Sequence, residues 1–517
     1  MAMGAITMAI WQSKASLLSA VGVFAACLLA GCGGSPPPDP TPAPEMVSAL
    51  QHIKASNTDA GDLFGLTVAL SSDGSTLAVG APQEDSIATG VNGDQGNTTS
   101  NAGAVYVFTR NGNAWVQQAY LKGLNTESFD LFGTSVALSA DGSTLAVGAI
   151  GEDSDTSGID PPANNAALSS GAVYVFSRSA GNWNQQAYVK ASNTGADDLF
   201  GGSVTLSASG DRLAVGAYRE SSDVTGVDSA LADNDAASQA GAVYVFLRQA
   251  GSWSQEAYVK ASNTGTDDGF GTSVSLSGDG NTLAVGSINE NSDGHQGNNA
   301  APLSGAVYVF RHNGTAWSQQ AYVKASTIDT PDQFGASVAL SANGDTLAVG
   351  AINESSNAIG IGGNQGNDPA GTNAGAAYVF VRTAGLWSQQ AYVKASNTGK
   401  DDFFGTGVAL SADGNRLAVS ALAEASNATG LNGNQLDNSA TEAGAAYVFA
   451  RSGVNWRQLA YVKASNTRSN SWFGYAMSLS GDGQTLAVGA PRENSKGDPS
   501  DTSAAEAGAA YVVSVPN

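Results

Sequence analysis

The stretch Phe132-Gly133-Thr134-Ser135-Val136-Ala137-Leu138-Ser139-Ala140-Asp141-Gly142-Ser143-Thr144-Leu145-Ala146-Val147-Gly148-Ala149 decides the fold. Ser135 to Ser139 alternates polar and apolar side chains as a half-buried strand does. Asp141-Gly142 supplies the left-handed geometry of a tight hairpin, and Leu145 to Ala149 returns as a second strand. After a long polar loop, Gly171-Ala172-Val173-Tyr174-Val175-Phe176 reads as a third strand. A turn through Gly181 leads to a fourth, Trp183 to Lys190. The unit recurs. Phe-Gly pairs stand at Phe64, Phe132, Phe200, Phe270, Phe334, Phe404 and Phe473, spaced by 64 to 70 residues, enough for four short strands, their turns and one long loop. No such unit can bury its apolar face alone, so neighbours must stack, and this repeat length suits a propeller blade.

The ends of the array say how it closes. The seventh unit stops at Tyr511 to Asn517 without a Trp-containing fourth strand. Val47 to Asn57 aligns with Trp183 to Asn193, with Val47 in the tryptophan position, so the start of the array supplies the missing strand. The expected fold is all-β: a seven-bladed β-propeller of four-stranded antiparallel blades, closed by an N-terminal strand that completes the last blade and removes two open sheet edges. Residues 46–517 then form one domain, although 517 residues would ordinarily suggest several.

Phe-Gly, then Leu-Ala-Val-Gly-Ala-Pro (Leu77 to Pro82, Leu486 to Pro491), then Gly-Ala-Val-Tyr-Val resembles the FG-GAP repeat of integrin alpha-chain N-terminal propellers and their bacterial relatives. The resemblance covers essentially all of residues 46–517. It implies a seven-bladed propeller used for adhesion or ligand binding, with calcium in some blades. The family's calcium loop, a run of acidic and amide residues between the first and second strands, is missing. Only tight turns stand there, as at Asp73-Gly74, Asp141-Gly142, Asp279-Gly280, Asp413-Gly414 and Asp482-Gly483. One carboxylate per hairpin cannot supply the six to eight oxygens that calcium takes, so the family's calcium residues are not carried over.

Ahead of the array, Lys14 precedes an apolar run, Leu17 to Ala30, that is short for a bilayer span and ends in Leu29-Ala30-Gly31-Cys32. This resembles a bacterial lipobox, which implies a signal peptide over residues 1–31 and lipid on Cys32. Residues 32–45 hold Pro36, Pro37, Pro38, Pro40, Pro42 and Pro44, an extended spacer. The expected location is the bacterial cell envelope, lipid-anchored and facing the periplasm or the exterior from the outer membrane. The only other cysteine, Cys27, lies in the apolar run, so no disulfide is expected in the exported domain.

A net charge of −23 and a pI near 4.3 with no basic cluster disfavour nucleic acid and anionic membrane surfaces; neutral or cationic partners and divalent cations fit better. The membrane is reached by the lipid alone, and the domain is expected to be a monomer.

Sequence variation concentrates in the loops joining second to third strands and in the segments joining successive blades, which a propeller places on one face. Four loops carry clustered amides and carboxylates able to bind sugar hydroxyls, a protein ligand or calcium: Asp94, Gln95 and Asn97; His295 and Gln296; Asn364 and Gln365; Asn434 and Gln435. The densest carboxylate group, Glu152, Asp153, Asp155 and Asp160, is the candidate calcium site. Otherwise no cofactor is expected.

Two further series repeat in every unit. Glu84, Glu152, Glu220, Glu290, Glu354, Glu424 and Glu493 each begin a Glu-x-Ser, and Lys54, Lys122, Lys190, Lys260, Lys324, Lys394 and Lys463 each precede the phenylalanine by ten residues. Both reach the same face, so a ring of Lys–Glu pairs between loops or blades is expected, with the serine capping a turn. The six tryptophans that start fourth strands are expected to pack the outer blade surface, and Asp62 and its repeats to accept backbone hydrogen bonds. Nothing assembles a nucleophile with a base, a histidine metal set or a cofactor fingerprint. The chain reads as a binding or adhesion propeller for a glycan or a protein, or alternatively as an envelope scaffold, and not as an enzyme.

Overall fold

Strand and turn alternate in each repeat as the side-chain pattern requires. The computed structural model describes residues 50–228 and 234–516; the export segment, Cys32, the proline-rich spacer and Val47 lie outside the described residues. Blade two shows the plan: Phe132–Leu138 pairs with Thr144–Ala149, which pairs with Ala172–Ser179, which pairs with Asn182–Lys190, all antiparallel. Its sheet has a fifth, two-residue strand, Gly158–Ile159, on the outer edge. The other six sheets have four strands each.

The expected closure is present. Gln51–Ile53 pairs antiparallel with Ala509–Ser514, in the register Gln51 to Val512 and Ile53 to Ala510, so the seventh sheet takes its fourth strand from the start of the array. First strands of successive blades contact one another all the way round, including Met477–Leu479 of blade seven with Thr67–Leu70 of blade one.

The core is divided into seven parts, one between each pair of neighbouring blades. Between blades two and three, Val173, Val175 and Val189 meet Phe200, Leu213, Val215, Tyr244 and Phe246. In the first six blades the motif phenylalanine packs edge-on against two rings of its own third strand, as Phe132 does on Tyr174 and Phe176, whereas Phe473 meets Tyr511 alone because Val513 replaces the second ring.

Backbone approach explains the small residues. Phe200 forms a parallel bridge to Gly171 of the preceding blade. Gly171 has φ +82°, and a Cβ there would sit 2.1 Å from the Phe200 carbonyl oxygen. Gly171→Val should therefore cost about 3 kcal/mol or more, through left-handed strain and overpacking. Urea unfolding of the variant measures this, and an unchanged midpoint would mean that the blades do not approach so closely.

On the outer rim, neighbouring blades are latched. The Gln118 side-chain oxygen of blade one accepts from Trp183 Nε1 at 3.0 Å and from Arg178 of blade two, whose guanidinium lies over the Trp183 ring. Gln186, Gln320 and Gln390 receive the same pair of donors. At the junction of blades three and four, Glu256 takes the glutamine's place, accepting from Trp317 and from both forks of Arg212. These tryptophans hold blades together rather than present a stacking surface.

Candidate functional site

The linkers that enter each blade lie against the long loop of the blade before. Phe129 N, for example, donates to Ser100 O, and Asp197 N to Leu168 O. The two variable regions thus form one face, opposite the Asp-Gly hairpin turns.

Beneath that face lies a repeated polar cluster. Lys122 Nζ donates to Glu84 Oε2 at 3.0 Å, and neither side chain is exposed. Lys190–Glu152, Lys260–Glu220, Lys394–Glu354 and Lys463–Glu424 repeat the pair at 2.6 to 2.7 Å. Lys324–Glu290 and Lys54–Glu493 complete the seven. Each pair joins two strands' ends within one blade. The expected ring of pairs exists, but it is buried and does not bridge exposed loops.

The Glu-x-Ser pattern has a local reason. Ser86 N and Oγ both donate to Glu84 Oε2, while the Ser86 hydroxyl meets the Tyr120 hydroxyl. An asparagine series unnoticed in the sequence supplies the remaining donors: Asn57 Nδ2 donates to Glu84 Oε1 at 2.9 Å, and Asn57 Oδ1 accepts from Tyr106. Asn125, Asn193, Asn263, Asn397 and Asn466 repeat this bridge. A glutamate holding Lys, Ser, Asn and Tyr donors is a stable buried anion, which is what a structural pair needs.

Burial shifts the surrounding groups. It pulls the Lys122, Lys190, Lys260, Lys394 and Lys463 ammonium groups below their ordinary value, with the paired glutamates acting against it. In blade seven, burial opposes ionisation of Glu493, but hydrogen bonding from His52 and the Lys54 charge bring it down to about 2.

The aspartates two residues before the motif phenylalanine accept backbone N–H groups as expected: Asp62 from Asp59, Asp130 from Glu127, Asp198 from Gly195 and Asp402 from Gly399. Burial pushes Asp62, Asp130, Asp268, Asp332 and Asp402 up to about 7 from an ordinary 3.8. The folded chain thus keeps protons that the unfolded chain releases between those values. Their contribution is most favourable below about pH 4 and is lost as pH rises through about 7. The melting temperature should fall between about pH 4 and pH 7, and Asp402→Asn should reduce that slope. A melting temperature that rises over the same interval would contradict it.

The loop residues singled out in the sequence divide by role. Gln95 accepts from Ser56 Oγ, Gln365 from Ser326 and Gln435 from Ser396, while Gln296 donates to Ser262, so each glutamine ties its loop to the preceding linker. Asn97 donates to Asp59. Asp94, Asn364 and Asn434 accept backbone N–H groups two residues on, within their own turns. His295 meets Asp293 at 2.9 Å and is largely exposed.

The candidate calcium carboxylates are not brought together. Glu152 is buried on Lys190 and Tyr188. Asp153 accepts from Ser169 N, Asp155 from the Asn164 amide and Asp160 from Tyr188 N. Among the described residues no group of three or more histidine, cysteine, aspartate or glutamate side chains could hold a metal ion. Adjacency in sequence failed as a guide here because alternate residues of the loop point to different partners.

The FG-GAP repeat family matches at residues 47–108, 115–176, 183–246, 253–310, 317–380, 387–449 and 456–513. Each match begins with a blade's outermost strand, so the sequence repeat is offset by one strand from the structural blade. No curated protein matches the chain. Similar solved structures include the β-propeller domain of Cps50 (Swd1) from Myceliophteria thermophila, at 11% identity and TM-score 0.48, over 90% of this chain and 98% of that one. A putative 6-phosphogluconolactonase from Bacteroides uniformis follows at 13% and 0.44, over 75% and 85%. Hydrazine synthase from Kuenenia stuttgartiensis gives 12% and 0.46, over 85% and 94%. With seven matched repeats spanning the ring and every blade built on the same Phe-Gly contact, the chain belongs to the FG-GAP repeat family.

Proposed function

We propose that the protein is a lipid-anchored binding or adhesion propeller of the bacterial cell envelope, held at the outer membrane through Cys32, which recognises a glycan or a protein on its loop face. One observation carries this reading: the sevenfold Lys–Glu–Ser series beneath the loop face is buried and internally paired, whereas the loop face is exposed, varies from blade to blade and bears carboxylates with few cations. On the opposite face the hairpin aspartates are offset by arginines such as Arg248 on Asp211 and Arg382 on Asp345. A ligand that carries neutral hydroxyls or positive charge therefore suits the loop face, and nucleic acid does not. The recurring carboxylates serve the fold, which favours binding over catalysis.

Glycan-array binding that free sugar inhibits, and that substitution of Asp94 and Asn434 weakens, supports a glycan ligand. Recovery of one defined protein by crosslinking through the same face supports a protein ligand. Binding by neither route, or binding unaltered by loop substitutions, contradicts the reading. Cys32→Ala should release the protein from the membrane fraction.

A further inference from the structure

In five blades the long loop does more than connect strands: it covers the outer edge of its own sheet with a miniature extra strand. The segments are Thr89-Gly90-Val91-Asn92, Ser157-Gly158-Ile159-Asp160, Thr225-Gly226-Val227-Asp228, Ile359-Gly360-Ile361-Gly362 and Thr429-Gly430-Leu431-Asn432. Their aliphatic residues pair antiparallel with Leu121, Val189, Val259, Val393 and Val462 of the outermost strands.

The chemistry of the cover is the same each time. The lysine backbone N–H donates to the glycine carbonyl, as Lys122 to Gly90 and Lys463 to Gly430, and the tyrosine carbonyl accepts the N–H of the last residue, as Tyr120 from Asn92 and Tyr461 from Asn432. Where that residue is Asn or Asp, its side-chain oxygen takes the tyrosine N–H as well, at 2.8 to 3.0 Å. Val91, Ile159, Val227 and Leu431 also pack on the cores between blades.

Blade four has no such cover. Its loop turns back at Asp293-Gly294-His295, where Asp293 collects His295 and Asn298, and carries no aliphatic residue at that point. Among the described residues, nothing takes the outward backbone groups of Tyr322, on the outermost strand Trp317–Val323, or of Lys324 just after it. Ala321 and Tyr322 are half-buried, whereas Ala187, Tyr188, Ala460 and Tyr461 are buried. Beside this edge lies a cleft of about 340 Å³, walled by Ala321–Lys324 and by Leu386–Gln389 of blade five, with Leu386 77% exposed. Blade seven lacks a cover too, but its outermost strand is only three residues long.

We propose that the open edge of blade four is a docking site for an extended segment of another protein, which adds as a fifth strand. Four of the five covers define the occupant: Thr or Ser, then Gly, an aliphatic residue, and Asn or Asp; the cover of blade five, Ile359 to Gly362, keeps only the central Gly and aliphatic residue. Its two main-chain bonds and one side-chain bond would complete Tyr322 and Lys324, and its aliphatic residue would enter the cleft. With a chain of net charge −23 and Asp293 in the loop of the same blade, the segment should have neutral or basic flanks. This site is on the circumference of the ring and is independent of the loop-face reading.

The test is titration of the full chain with a labelled peptide copying residues 425–434, followed by fluorescence anisotropy and by hydrogen exchange. Saturable binding that protects residues 321–324 is expected, weakened at least about tenfold when the peptide's counterpart of Leu431 becomes aspartate. Replacing residues 293–295 by the segment 427–434 gives blade four its own cover and should abolish peptide binding while loop-face ligand binding persists. No binding, equal affinity for the aspartate peptide, protection elsewhere, or binding undiminished in a folded grafted chain would each overturn the proposal. The peptide comparison decides the matter even if the grafted chain fails to fold.

Discussion

Removing residues 46–55 is expected to destabilise the whole ring by more than about 5 kcal/mol and to replace one cooperative unfolding transition with a broader, earlier one. Blade seven would lose Gln51–Ile53, exposing the edge of Ala509–Ser514 along its full length. It would also lose Lys54, whose Nζ donates to Glu493 and to the Gly508 carbonyl, so a nearly inaccessible carboxylate would be left without its cation. Ile53 and Ala55 would leave the core between blades seven and one, where they pack with Phe64, Tyr106 and Val512. Three losses at one seam exceed what any single surface deletion does. Differential scanning calorimetry measures the outcome, and an unchanged melting temperature would contradict closure by this strand.

Lys122→Met is expected to cost about 3 to 5 kcal/mol, because it leaves Glu84 ionised or forces it to take up a proton in a site with no water access. Asn57 and Ser86 would still donate to Glu84, but neither carries a charge. A second change should recover part of the loss: in Lys122→Met/Glu84→Leu no buried charge remains unpaired, so the double variant should be more stable than Lys122→Met alone. Chemical denaturation of the three chains measures the coupling. If the single and double variants unfold at the same denaturant concentration, the pair contributes packing and no electrostatic coupling. Ligand binding at the loop face should survive in any folded variant, since the pair lies beneath that face.

The ring and its closure were legible in the sequence because repetition multiplies a weak signal. One Phe-Gly means little, whereas seven at a near-constant interval fix both blade number and strand order. The alignment of Val47–Asn57 with Trp183–Asn193 likewise anticipated the pairing of Gln51 with Val512. The lysine and glutamate series were legible as partners but not as buried partners. Spacing along the chain gives position, and burial depends on the linker asparagine and the third-strand tyrosine that close over the pair.

The loop residues were harder. Gln95, Gln365 and Gln435 look like ligand contacts in a Gly/Asn-rich stretch, and a polar side chain there satisfies a neighbouring serine equally well. Glu152 looked like part of an acidic loop because Asp153 and Asp155 follow it, yet it belongs to the sevenfold buried series. The edge-covering segments escaped notice because one or two paired residues leave no alternation to detect.

Hydrogen exchange at the closing strand tests the central claim most directly. If the ring is sealed by Gln51–Ile53, the amides there that bond to Ala509–Ser514 should exchange as slowly as those linking Ala445–Ser452 to Asn455–Val462 inside blade six, and should lose protection together with the rest of the ring. Rapid exchange at residues 51–53 while the other six outermost strands stay protected would show that the chain is an open array and not a closed propeller.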